Sequence, residues 1–311
     1  MYYLVFGVIY LLSLLPFWCL YKLSDFSFFV LYRLIGYRKE IVMQNLRSAF
    51  PNKREEELKK ISISFYKNFC DVWIEMLKTM SISKRQIDKR LTYDYGILEA
   101  LYKSGKSVQA YGGHFMNWEY ANFTLPVHQP YTFLGVYMPL ANQVFERIIF
   151  YMRSRFGSKM LKAGKMKLEM EAWKDRQYLI VLGADQSPAS PLHAHWLYFM
   201  NRPAGFVQRP WQKARELNQP TVYLRVSKLK RGYYHFEAEL FEMEPALLSE
   251  EALALKYKNM LEADILKYPD NYLWTHRRWK LGWKKEYSHL WIDEKQPPGF
   301  KPSNEMVEQG D

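Results

Sequence analysis

The chain has 311 residues, of which 49% are hydrophobic and 17% are aromatic, and its 44 Lys and Arg against 32 Asp and Glu give a net charge of +12. This length is enough for one large domain or two, and the positive charge favours anionic partners: nucleic acid, anionic lipid headgroups or phosphorylated substrates. The only cysteines, Cys19 and Cys70, form no C-x-x-C pattern, which argues against a disulfide framework and against a zinc site.

The first 21 residues carry no charged side chain. A helix of that length rises about 31 Å, which matches the hydrocarbon core of a bilayer. No basic region precedes this run and no small-x-small cleavage site follows Trp18, which argues against a signal peptide. We therefore predict a membrane anchor over residues 1–40, with an N-terminal transmembrane helix and an interfacial helix; the alternative is a buried helix of a soluble domain. Basic residues after the span predict a cytoplasmic body: Arg33, Arg38 and Lys39.

The rest of the chain alternates helical and strand patterns, which is typical of an α/β domain. Apolar residues at helical spacing predict helices over residues 52–80, 96–103, 118–125, 142–155, 165–174, 207–217 and 250–268. Short apolar runs predict strands over residues 107–111, 131–137, 178–183, 221–227 and 235–242. We predict a mainly parallel sheet flanked by helices, with the last two strands as a hairpin. This domain spans residues 41–295, and a loose tail covers residues 296–311.

A histidine and a glutamate lie five residues apart just after the predicted strand over residues 107–111, in the segment Gly-Gly-His-Phe-Met-Asn-Trp-Glu. Five residues on a regular helix turn about 500°, which leaves the two side chains roughly 140° apart. His114 and Glu119 can therefore meet only if His114 lies in the turn before a helix and Glu119 lies in its first turns. Such a histidine would be a usable general base near neutral pH. The alternative is a turn histidine with an unrelated surface glutamate.

Two further polar clusters are expected at the carboxyl ends of strands, where open α/β sheets bind ligands. Asp185 and Gln186 follow the apolar strand over residues 178–183, and Asp185 is either functional or a loop cap. The other cluster is basic and is either an exposed helix end or a cradle for phosphate. Its members are Arg153, Arg155, Lys159 and Lys162.

Two segments each allow two uses. His193 and His195 could ligate a metal, but apart from Asp185 no ligand cluster accompanies them, so we predict a polar loop and no metal site. The block over residues 272–280 mixes aromatic and cationic side chains, which could stack on nucleic acid. Beside a membrane anchor, a surface for anionic lipid headgroups is the preferred interpretation.

These segments together resemble the bacterial lipid A late acyltransferases, which add secondary lauroyl or myristoyl chains to a lipid A precursor. The resemblance covers nearly the whole chain, and the N-terminal membrane segment and the C-terminal block are specific in combination. The matching segments are Asn45-Leu46 to Phe50-Pro51, the H-x4-E pattern, Gly135-Val136-Tyr137 with Pro139, Arg153-x-Arg155, Asp185-Gln186 and Tyr272-x-Trp274-x-His276-Arg277-Arg278. Met138 and Ser187-Pro188 depart from many relatives, which bears on the acceptor and the chain length more than on the chemistry.

The resemblance implies a glycerolphosphate-acyltransferase-like fold and transfer of an acyl chain from acyl carrier protein, or from a coenzyme A thioester, to a hydroxyl of a lipid A precursor. The site would lie at the cytoplasmic face of the bacterial inner membrane, with no cofactor and no nucleic acid. His114 would take the proton of the hydroxyl, and Glu119 would orient the imidazole. Substrate-binding residues are expected to be Asn117, Arg153, Arg155, Asp185 and Gln186. The two arginines would hold a phosphate or stabilise the oxyanion.

Three other functions remain open from the sequence. The same pair could acylate another glycolipid, a lysophospholipid or an aminolipid. The chain could instead be a non-catalytic membrane protein that binds anionic lipid or nucleic acid. A lipid hydrolase would use the same histidine and glutamate to activate water.

Overall fold

A computed structural model describes residues 1–299 of the chain, and the predicted tail lies outside this range except for its first four residues. The helices are α1 Tyr2–Leu14, α2 Phe17–Phe28, α3 Lys39–Ala49, α4 Glu55–Lys78, α5 Lys84–Asp88, α6 Gly96–Lys103, α7 Ala121–His128, α8 Gln143–Ser154, α9 Met166–Met170, α10 Arg209–Leu217 and α11 Glu250–Lys267. The strands are β1 Leu91–Asp94, β2 Val108–Gly112, β3 Thr132–Tyr137, β4 Lys159–Lys162, β5 Tyr178–Gly183, β6 Ala194–Phe199, β7 Arg202–Val207, β8 Thr221–Lys230 and β9 Tyr233–Glu242. A π-helical stretch, Phe29–Ile35, continues α2.

Seven strands form one mixed sheet in the order β1-β9-β8-β2-β5-β3-β4. All neighbouring pairs are parallel except β8 and β9, which form an antiparallel hairpin. The structure confirms the predicted mainly parallel sheet flanked by helices, and its last two strands form the predicted hairpin. The central strands β2 and β5 are apolar and largely buried on both faces, as strands covered by helices are in α/β proteins.

The structure differs from the predicted elements in the segment between β3 and α10. The single helix expected over residues 165–174 is broken into α9 and two flanking 3-10 turns, Ala163–Lys165 and Glu171–Trp173. The polar loop expected around His195 is instead β6, which pairs with β7 in a separate two-stranded sheet. Because β7 occupies residues up to Val207, the following helix begins at Arg209 and not at residue 207.

The N-terminal segment is not the single helix that its length and lack of charge predicted. The chain bends between α1 and α2, where Leu15 has an extended backbone with ψ 143° and Pro16 has ψ 153°. Proline has no N–H to donate and pushes the residue before it out of the helical region, so a helix ends there. Among residues 1–299, no one helix is long and apolar enough to span a bilayer. Taken together, the helical segments Tyr2–Leu14 and Phe17–Ile35 are long and apolar enough to span a bilayer by length and composition only, and they are bent by 114° relative to each other.

The long helix α4 ties the bent N-terminal pair to the body. The Lys78 ammonium donates to the backbone oxygens of Ser13 at 2.8 Å and of Leu15 at 2.9 Å, which satisfies two of the carbonyls left free where α1 ends. On α2, Ser24 donates to Asp71 of α4 at 2.7 Å. One face of α1 packs with α4 and α8 in an apolar cluster that includes Phe6, Met76 and Met152.

Candidate active site

His114 and Asp185 lie side by side because they follow adjacent parallel strands. β2 and β5 pair in register at Gly112 and Gly183, so the chain leaves both strands at the same edge of the sheet. Asp185 contacts His114 twice: the backbone N–H donates to Oδ2 at 2.8 Å, and ring Nδ1 lies 2.6 Å from Oδ1. A Cβ on residue 183 would lie 2.7 Å from Cε1 of the imidazole, so glycine there makes room for the ring.

The carboxylate sets the charge and the tautomer of the imidazole. Burial disfavours the charged ring, but Asp185 outweighs burial and raises the pKa of His114 above its ordinary value. Burial would also raise the pKa of the Asp185 carboxyl, yet the neighbouring His114 lowers it. When Nδ1–H is assigned as the donor to Asp185, the unprotonated ring nitrogen is Nε2, which accepts a hydrogen bond from the amide nitrogen of Gln186 at 3.3 Å. In this tautomer Nε2 can accept a proton.

Glu119 is buried, and its carboxylate accepts hydrogen bonds from Arg153 and, at 3.3 Å, from the amide nitrogen of Asn122. The predicted turn followed by a helix is present, because a 3-10 turn over Trp118–Tyr120 leads into α7. Arg153 Nε donates to Oε2 of Glu119 at 2.9 Å and its Nη2 donates to Oε1, which forms a bidentate pair. The hydrogen bond to ring Nδ1 of His114 comes from Asp185, and the charge of Glu119 adds to the rise in the pKa of His114. The predicted catalytic role of Glu119 stays a prediction.

The predicted basic cluster is divided among three places. Arg153 lies at the site with Glu119, whereas Nη1 of Arg155 donates to the backbone oxygens of Thr79 and Ile82, both at 2.7 Å. Two residues along a helix differ by about 200°, so Arg153 and Arg155 face opposite sides. Lys159 and Lys162 form the two ends of the edge strand β4 and are exposed. These positions favour Arg153 alone as a substrate-binding arginine.

The two predicted substrate-binding amides have different surroundings. Gln186 lies beside Nε2 of His114, where a reacting group would be placed. Asn117 is fully buried, and its amide donates to Glu75 of α4. Glu75 was not among the predicted site residues. Asp71 and Glu75 lie four residues apart on the apolar face of a helix, and that position could have indicated buried functional carboxylates.

Residues 271–278, which we call the C-terminal strap, cross directly over the turn that carries His114. The N–H of Met116 donates to the oxygen of Asn271 at 2.7 Å, and the N–H of Leu273 donates to the oxygen of His114 at 3.1 Å. Most side chains of the strap are buried, so it is chiefly a packed part of the site and not the headgroup surface predicted from its composition. The exposed basic members of the block are Arg277 and Lys280.

Within residues 1–299, no group of three or more His, Cys, Asp or Glu side chains is arranged to hold a metal ion. His193 is exposed in the 3-10 turn Pro191–His193, whereas His195 is buried in β6. The candidate site therefore consists of the Asp185 carboxylate, the His114 imidazole with an unprotonated Nε2, and the Arg153 guanidinium. Such a set can remove a proton from a hydroxyl and bind an anion, which are the requirements of acyl transfer.

The sequence matches the family described as "Bacterial lipid A biosynthesis acyltransferase" over residues 1–281. Similar proteins include a lipid A biosynthesis palmitoleoyltransferase of Escherichia coli (strain K12), which is 24% identical over 295 residues, covering 88% of this chain and 89% of the relative. A lipid A biosynthesis lauroyltransferase of the same strain is 24% identical over 282 residues with the same coverage of both chains. A lipid A biosynthesis acyltransferase of Shigella flexneri is also 24% identical, over 295 residues. The chain therefore belongs to the bacterial lipid A biosynthesis acyltransferases.

Proposed function

We propose that this acyltransferase moves a fatty acyl chain from the thioester of acyl carrier protein to a hydroxyl of a lipid A precursor, with His114 as the general base. The observation that carries the proposal is the contact between Asp185 and Nδ1 of His114, which leaves Nε2 unprotonated, with the amide of Gln186 as its hydrogen-bond donor until a substrate hydroxyl replaces it. The imidazole is also partly exposed, at 22% of its side-chain surface, so a substrate can approach it.

The transfer would run in two steps on these residues. Nε2 of His114 takes the proton of the acceptor hydroxyl while the oxygen attacks the thioester carbonyl carbon, which forms a tetrahedral oxyanion. The C–S bond then breaks, the carbonyl re-forms, and the imidazolium returns its proton to the departing thiolate. Asp185 stabilises the imidazolium between the steps. No covalent acyl-enzyme is needed.

Arg153 is the group best placed to bind the negative charge of a substrate. Its Nε and one Nη2 proton are used by Glu119, which leaves further guanidinium protons for a ligand. The Glu119 pair holds the guanidinium rigidly, as a preorganised anion site requires. In this proposal Arg153 contacts either the oxyanion or a phosphate of the acceptor. Arg153→Lys separates the two: a fall in kcat indicates the oxyanion, and a rise in KM for the acceptor indicates the phosphate.

The proposed place of the reaction is the cytoplasmic face of the bacterial inner membrane. Exposed apolar side chains are concentrated on the bent pair α1 and α2, and the chain carries a net charge of +12. Both features favour a surface of anionic lipid. The relatives named above carry lauroyl and palmitoleoyl in their names, so a medium-to-long saturated or monounsaturated chain is the first donor to test.

The direct test is transfer of a labelled acyl chain from acyl carrier protein to a lipid A precursor, with the product identified by mass spectrometry. We expect His114→Ala to lower the rate by about 10²–10⁴ while the protein still folds and binds membranes. His289→Ala, an exposed histidine of the 3-10 turn Lys285–Leu290, is the matched control and should keep full activity. An active His114→Ala enzyme would overturn the assignment of the base.

The product identifies the function if lipid A is not the acceptor. An unchanged acyl count of lipid A after deletion of the gene would indicate another glycolipid, a lysophospholipid or an aminolipid. Release of free fatty acid with no acylated acceptor would indicate a hydrolase. Replacing acyl carrier protein by coenzyme A as the carrier in the same assay identifies the donor.

A further inference from the structure

A fully buried carboxylate lies beneath the turn that carries His114 and Glu119. Glu75 of α4 is 0% exposed, and it accepts hydrogen bonds from the hydroxyl of Tyr21 at 2.9 Å and from the hydroxyl of Tyr234 at 2.8 Å. It also accepts a hydrogen bond from the amide nitrogen of Asn117. The three donors belong to α2, to β9 and to the turn itself, so Glu75 joins three parts of the fold.

Asn117 is the residue at which the chain reverses between His114 and Glu119. Its φ is +63°, in the left-handed region, which residues other than glycine adopt at a cost unless side-chain contacts hold them. The amide that donates to Glu75 supplies such a contact, and Asn117 has no exposed surface through which it could reach a substrate. An amide NH₂ group can only donate, so it pairs with a carboxylate oxygen that accepts.

We infer that Glu75 is a positioning residue of the active site, whose ionised carboxylate holds Asn117 and thereby the His114–Glu119 turn in the productive conformation. The catalytic consequence rests on the proposed acyl transfer. The contact with Tyr21 also links the turn to α2, which belongs to the helical pair proposed to meet the membrane. In this role Glu75 touches no substrate.

The ionisation of Glu75 depends on groups from every side. Burial, followed by the negative charge of Asp71, raises the pKa of Glu75 to about 7, against the two tyrosine hydroxyls and Lys228, which lower it. Other titratable groups around this cluster are Arg90 and Tyr120. A fall in pH through neutrality therefore protonates Glu75, which weakens its oxygens as acceptors for Asn117. A fall in pH also protonates the base His114, whose own pKa is raised by Asp185.

The test is the pH dependence of kcat/KM for acyl transfer by the full-length wild-type enzyme and by Glu75→Gln. Protonation of both Glu75 and His114 should give the wild type an acid limb steeper than a slope of 1, whereas the variant, in which only His114 titrates, should show about 1. We expect kcat of Glu75→Gln above neutral pH to fall by about 10–100-fold with little change in KM, because the turn is misplaced. A variant with wild-type kcat and wild-type slope would overturn the inference.

Asp264→Asn is the matched control for the loss of a buried carboxylate. Asp264 of α11 is also buried and accepts from the hydroxyl of Tyr223 at 2.9 Å and from Arg225 at 2.7 Å, but it makes no bond to the turn. It should lower stability and leave the acid-limb slope unchanged; a slope reduced as in Glu75→Gln would make the effect a general one and contradict the proposal.

Two further measurements test the role of Glu75. If Glu75→Gln does not fold, Tyr234→Phe removes one donor to the carboxylate, so the pKa of Glu75 should rise and part of the acid limb should move to higher pH; an unmoved limb contradicts the proposal. Hydrogen exchange over residues 114–119 requires no substrate. It should be roughly tenfold faster in Glu75→Gln than in Asp264→Asn, and equal rates would refute the positioning role even if the proposed acyl transfer fails.

Discussion

The Asp185 carboxylate holds His114 at two atoms, the backbone nitrogen and ring Nδ1. The first contact fixes the path of the turn, and the second fixes the tautomer and the plane of the imidazole. Trp118 meets the ring edge-on, with the ring centroids 5.3 Å apart, which further limits its rotation. At the scale of single residues, the proposed base is therefore oriented before any substrate is bound.

Asp185→Asn should separate orientation from charge at this contact. We expect kcat to fall by about 10³–10⁴, because the amide favours the wrong imidazole tautomer. The neutral ring is the base, so activity declines as pH falls through the raised pKa of His114. Without the carboxylate that pKa falls, and the decline in activity should move to lower pH. Rate profiles of wild type, Asp185→Asn and the exposed control Asp175→Asn check this; an acid limb unmoved in Asp185→Asn would contradict it.

The sequence predicted the turn that carries His114 and Glu119 but not the contact between His114 and Asp185. The spacing of His114 and Glu119 correctly predicts a turn that leads into a helical segment, because that depends on local geometry alone. Which acid meets the imidazole depends on a partner 71 residues away and on the register of Gly112 with Gly183. Short-range spacing contains no information about register, so the nearer acid was chosen.

Elements were predicted well where a long periodic pattern was present and poorly where a single residue overrides it. β5 has the predicted bounds, and α11 differs from its predicted range by one residue, because both patterns are clear. The uncharged apolar run predicted one helix through Pro16, whereas α1 ends before Pro16 because proline has no N–H to donate. β4 is too short, at four residues with a lysine at each end, to show strand alternation.

Lys78→Met should show how strongly the bend between α1 and α2 is held. The substitution removes the donor of the Leu15 oxygen and one of two donors of the Ser13 oxygen, which keeps the hydroxyl of Ser81, so the free energy of unfolding should fall by about 1–3 kcal/mol. Denaturant titration measures this. Lys60→Met, an exposed lysine of the same helix, should stay within about 0.5 kcal/mol of the wild type. Equal values for the two variants would show that Lys78 does not support the bend.

On the scale of the whole molecule, the exposed apolar surface is uneven. Large hydrophobic side chains are exposed along the N-terminal pair, including Tyr3, Leu4, Val8, Leu11, Trp18 and Phe26. The opposite face of α1 packs against α4 and α8, and α8 carries Arg153. The surface proposed to meet lipid is therefore only one helix away from the proposed anion-binding arginine.

Leu4→Ser combined with Leu11→Ser should weaken binding to anionic vesicles. The two leucines are 73% and 66% exposed, and burying each in lipid contributes about 1.5 kcal/mol or more, so binding should fall roughly 100-fold. The control replaces Leu229 and Leu247, which are exposed on the β8–β9 hairpin and in the 3-10 turn Pro245–Leu247. Vesicle co-sedimentation of both double variants measures the effect; comparable losses would locate the membrane surface elsewhere.

The C-terminal strap bears on when the proposed site can form during synthesis of the chain. Asn45 of α3 donates to the oxygens of Trp274 and His276, 229 and 231 residues further along, and the strap in turn bonds to the backbone of His114 and of Met116. Contacts this distant in sequence form late, because a long loop must close before they contribute. A nascent chain still lacking residues 271–278 has no complete site. The proposed site is thus incomplete until residues 271–278 have been synthesised.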